Sequence, residues 1–133
     1  MTKSWIKPLF VVAGLYDGLL ALAFLLFTTP LFQWYEVTLP NHLGYVKFPA
    51  LLLLIFAGMF FRIASDPATY RELMVYGICL KVAYSGTVFW YELTEGIPDM
   101  WIPWAWADLV FLVLFVAAWR RTGAATAGRH SAT

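Results

Sequence analysis

Four apolar runs, separated by short polar or charged breaks, dominate the pattern along the chain. A helix needs about 20 apolar residues to cross the hydrocarbon core of a bilayer, so run length is the primary signal. The first run covers about residues 8–29, with Asp17 as its single charge. Pro8 suits a first helical turn, where its missing N–H costs nothing, and Thr28-Thr29-Pro30 predicts the close of the helix. The second run lies at 46–64, and its uncharged stretch, 48–61, has only 14 residues. To span, it needs Lys47 and Arg62 to extend their charged ends to opposite interfaces. The third opens with Ser65-Asp66-Pro67, a carboxylate N-cap before a proline, and occupies about 70–91 with Lys81 near its centre. The fourth, 102–119, starts around Ile102-Pro103, contains Asp108 and ends at Trp119-Arg120-Arg121. The expectation is all-α: an integral membrane four-helix bundle in one domain over 1–121. Residues 122–133, rich in Gly, Ala and Thr, are expected to be a disordered tail.

Composition narrows the class further. Of 133 residues, 62% are hydrophobic and 13% charged. A soluble domain carries roughly 25% charged residues, so a soluble domain is excluded. The same apolar excess excludes intrinsic disorder. A net charge of +1 excludes the concentrated basic face of a nucleic-acid binder. Cys79 is alone and gives neither an intramolecular disulfide nor a cysteine metal motif. The first run exceeds the 7–15 apolar residues, roughly, of a cleaved signal peptide, so a retained span is expected there.

The breaks between runs carry an orientation. Lys3, Lys7, Arg62, Arg71, Arg120, Arg121 and Arg129 fall on one side, seven of the nine cations. The other side holds Lys47 with Glu36, Glu92, Glu95 and Asp99. The positive-inside rule then predicts that both termini are cytoplasmic. The segment 30–45 carries Phe32, Trp34, Tyr35 and Tyr45 and is expected to lie in the outer interface. Trp101, Trp104 and Trp106 are expected to join it as an aromatic belt, with the lining of a ligand site as the alternative.

Three ionisable residues fall inside runs: Asp17, Lys81 and Asp108. Each costs at least about 2.5–3.5 kcal/mol if it faces lipid, so pairing or a wet cavity is expected. At 1.5 Å per residue, Asp17 and Lys81 lie at nearly the same depth, roughly 12–14 Å in. A buried Asp17–Lys81 pair is therefore predicted, with Asp108 nearby on the outer side. From Lys81, helical spacing predicts a polar stripe through Tyr84, Ser85 and Glu92. Trp104 shares a face with Asp108, and Tyr16 adjoins Asp17. Gly14 and Gly18 form a G-x-x-x-G pattern that permits close helix approach. With His42 and His130 the only histidines, neither a haem nor a metal site is expected, and no cofactor is implied. No recognisable nucleophile elbow or phosphate-cradling loop is present either.

The four-span plan and the phrase Ala13-Gly14-Leu15-Tyr16-Asp17-Gly18 resemble the small four-helix bacterial inner-membrane proteins grouped as DoxX-like. That resemblance implies an inner-membrane, multi-pass protein, in a grouping where some members associate with oxidoreductase complexes. Three functional classes stay open. The leading one is an assembly or accessory subunit that meets a membrane partner or a second copy of itself. The second is a binding bundle for a lipophilic or amphipathic molecule in its outer half. The third is a small enzyme that uses an intramembrane carboxylate.

Overall fold

The computed structural model describes the backbone of residues 5–132 and the side chains of 5–123. Its elements are helix α1 (Ile6–Leu26), a short helix α2 (Thr28–Trp34), α3 (Gly44–Ser65), α4 (Arg71–Thr94), a 3-10 turn at Asp99–Trp101, and α5 (Ile102–Ala132). Among the described residues, four stretches are long and apolar enough to cross a membrane: Ile6–Leu26, Gly44–Ser65, Arg71–Thr94 and Asp99–Gly123. Leu19, Ile55, Val82, Val110 and Val113 are exposed on them, as side chains solvated by lipid are. The chain is a multi-pass helical membrane protein.

Small residues decide which helices meet. In a bilayer the hydrophobic effect does not drive helices together, so close backbone approach and packing must. The ring of Phe61 on α3 fills the space beside Gly14 so fully that a Cβ there would lie 2.7 Å from it. Gly18, one turn on, faces Ala57. This seam makes α1–α3 the most extensive helix pair, and α4–α5 is the second. The two pairs touch each other much less. At the end that carries the termini they are joined by an apolar core from all four spans, including Phe10, Phe60, Met74 and Phe115. At the far end a smaller cluster of Phe24, Phe32, Ala50 and Met100 closes the bundle.

Element ends differ from the sequence pattern in three places. Thr28-Thr29-Pro30 closes α1 but also starts α2, because proline is at ease in a first helical turn. Phe32 of α2 is buried in the far cluster, so part of the segment 30–45 belongs to the bundle. Asp66 accepts from the Thr69 hydroxyl at 2.6 Å and organises the turn ahead of α4, whose N-cap is Tyr70. α5 continues as helix past Arg121, the end of the fourth apolar run, to Ala132. Thr122 anchors this continuation: it is buried, and its hydroxyl donates to Ala118 O at 2.8 Å. The alanines that follow favour helix.

Two helix exits use left-handed backbone. Gly96 takes φ 80° after α4, where glycine carries no steric penalty. Glu36 takes φ 56° after α2. There Glu36 N donates to Gln33 O and Val37 N to Phe32 O, a Schellman closure with glutamate in the position that favours glycine.

Candidate functional site: a buried charge cluster beside an apolar cavity

Three helices each bring one charge to a common point. α1 and α4 run in the same direction, and Asp17 and Lys81 lie roughly 15–17 Å along them from Ile6 and Arg71. α5 runs the other way and presents Asp108 after its first turns. Lys81 Nζ donates to both oxygens of Asp17, at 3.0 Å each, and to Asp108 Oδ1, also at 3.0 Å. An ammonium has three N–H donors, and all three are used. The Lys81 side chain is 0% exposed and that of Asp17 1%, against 9% for Asp108. The predicted pair is present, and Asp108 is a direct partner in it, closer than the sequence placed it. The flexible four-carbon stem of lysine makes that reach possible.

Aromatic rings seal the cation. The rings of Tyr16, Phe60 and Phe111 have centroids 5.7, 5.6 and 5.3 Å from Lys81 Nζ, and their negative faces add to the carboxylates. Ser85 Oγ donates to the carbonyl of Lys81, one turn back within α4. Tyr84 Oη donates to Trp101 O at 2.8 Å and ties α4 to the 3-10 turn. Tyr16 Oη and Trp104 Nε1 are buried beside the cluster without a hydrogen-bond partner. Glu92, at the outer end of the predicted stripe, is exposed and lies outside the site. It stands in the last turn of α4.

Between the two helix pairs, on the far side of the cluster from the termini, lies a cavity of about 330 Å³. Asp17, Asp108 and Tyr84 supply its polar wall. Apart from Tyr45, which adds a second phenol from α3, the rest is largely apolar: Leu20 and Phe24 of α1, Val46, Pro49, Ala50, Leu52, Leu53 and Phe56 of α3, Leu80 of α4, and the indoles of Trp101 and Trp104. Pro49 has no N–H to return to Tyr45, so α3 lacks one rung along this wall. Trp101 and Trp104 thus face the cavity, whereas Trp106 is exposed and packs edge-on against Phe89. Nothing in the sequence marked the α3 wall, because its residues read like any lipid-facing helix surface.

His42 has a local role in the loop ahead of α3, where its Nδ1 accepts from Gly44 N at 2.9 Å. Among the described residues, no three His, Cys, Asp or Glu side chains are grouped so as to hold a metal ion. The arrangement can seat a molecule with an apolar body and a single polar end. Comparison with protein-family models, with curated proteins and with solved structures finds no match to this chain, so the geometry of this site stands without a family assignment.

Proposed function

We propose that this chain is a membrane-embedded binding bundle for a lipophilic or amphipathic small molecule. The molecule lies in the cavity between the helix pairs, with its polar end against Asp108 and Asp17. The observation that carries this reading is the cavity itself, apolar over most of its wall and acidic at one end. Its volume falls at the lower end of the roughly 300–1,000 Å³ range of small-molecule sites, and a few convergent polar groups in an apolar pocket are typical of them. Tyr16, Tyr84, Ser85 and Trp104 hold the cluster and the wall in place. An accessory-subunit role would draw on a polar helix face turned toward another chain. The cluster offers none, since its ammonium is satisfied within this chain. In keeping with the cation bias of the loops and the DoxX-like phrase, the proposal sets the bundle in a bacterial inner membrane with both termini cytoplasmic.

The test is an organic extract of the purified protein, analysed by mass spectrometry beside an extract of Ala50→Phe, in which a ring fills the cavity. A lipophilic compound enriched in the first and depleted in the second supports the proposal. Identical extracts, or a co-purifying protein chain in place of any small molecule, overturn it.

A further inference from the structure

We infer that the molecule seated in this cavity carries one positive charge at its polar end: a lipophilic amine in its protonated form. The inference rests on the binding reading above and adds the chemistry of the head group.

The charges of the cluster do not balance. Two carboxylates, Asp17 and Asp108, share one ammonium, Lys81. Asp17 spends both of its oxygens on that ammonium, while Asp108 gives only Oδ1. The oxygen left over belongs to the member whose side chain is the most exposed of the three, and Asp108 lines the cavity. Among the described residues, no lysine, arginine or histidine lines the cavity. Lys81 cannot turn to help, because its three donors are committed and rings enclose it.

An uncompensated charge in a low-dielectric interior is costly, and a nearby opposite charge is its strongest remedy. A protonated amine supplies that charge together with N–H donors for the free Asp108 oxygen. An alcohol supplies a donor but leaves the charge. A carboxylate adds a second negative charge to the first and is repelled. The apolar wall accepts the alkyl or ring body of any of the three, so only the head group discriminates among them.

The experiment uses brominated decylamine, decanol and decanoate as probes of the full chain in phosphatidylcholine nanodiscs. Bromine quenches the indoles of Trp101 and Trp104 when a probe enters the cavity. The amine is expected to quench saturably with an affinity about tenfold higher than the alcohol, the difference between a charge-assisted and a neutral hydrogen bond. Decanoate is expected to give no saturable quenching. Asp108→Asn is expected to reduce the amine to the affinity of the alcohol, and Ala50→Phe, which leaves the charges intact, to remove saturable quenching by both. Alcohol binding as tight as amine binding overturns the inference, because a proton on Asp108 then balances the cluster; so does tight decanoate binding. Either result leaves the binding reading standing. Saturable quenching by none of the probes overturns both.

Discussion

Asp108 Oδ1 lies 3.0 Å from Lys81 Nζ, and this contact joins α5 to α4 at the floor of the cavity. It turns a two-residue ion pair into a three-helix junction, with Asp17 on α1 as the third arm. Breaking such a junction by removing its centre is worse than removing it whole. Lys81→Met leaves two carboxylates buried without a counter-charge, which costs about 3–5 kcal/mol. The triple variant Asp17→Asn, Lys81→Met, Asp108→Asn leaves no charge behind. Its thermal unfolding midpoint in detergent is expected to lie above that of Lys81→Met, and a lower midpoint would contradict the junction.

Tyr16 contributes through its ring and not its hydroxyl. Its ring stands over Lys81, while Oη is buried without a partner. A buried unsatisfied polar group costs about 1–3 kcal/mol. Tyr16→Phe is expected to leave the unfolding midpoint unchanged or raise it, and Tyr16→Leu, which loses the ring face, to lower it.

The α1–α3 seam has no room at Gly14. A methyl group there would lie 2.7 Å from the ring of Phe61. Gly14→Ala is expected to destabilise by about 1–3 kcal/mol through overpacking. At Gly58, on the same helix pair, an added Cβ meets nothing within 4 Å. Gly58→Ala is therefore the matched control, expected to be neutral or slightly stabilising. Unfolding followed by tryptophan fluorescence separates the two.

Glu36 holds a left-handed backbone that favours glycine, at φ 56°. A non-glycine residue pays about 1–2 kcal/mol for that conformation. Glu36→Gly is expected to raise the unfolding midpoint, or at least to slow hydrogen exchange at the Val37 amide that closes α2.

The spans and the charged centre were legible in the sequence because both follow from rules that act along one helix. Run length marks a crossing, and depth per residue brings Asp17 and Lys81 to the same level. What depends on how helices meet was not legible. The walls of α3 around Pro49, Ala50 and Leu53 carry no polar mark, so only packing shows that they enclose space. Trp101 and Trp104 read as belt residues because a tryptophan near a span end looks the same whether it faces lipid or a cavity. Glu92 fell on the stripe by periodicity, yet it is exposed in the last turn of α4. The exit at Glu36 was hidden because the residue usually marking it, glycine, is absent.

The most direct measurement of the central claim is an experimental density map of the protein purified into lipid nanodiscs. The account predicts an elongated non-protein feature in the cavity, ending beside the Asp108 carboxylate and flanked by Tyr84 and Trp104. A bundle closed around the Asp17–Lys81–Asp108 cluster, with α3 packed onto α4 and no cavity between them, would contradict it.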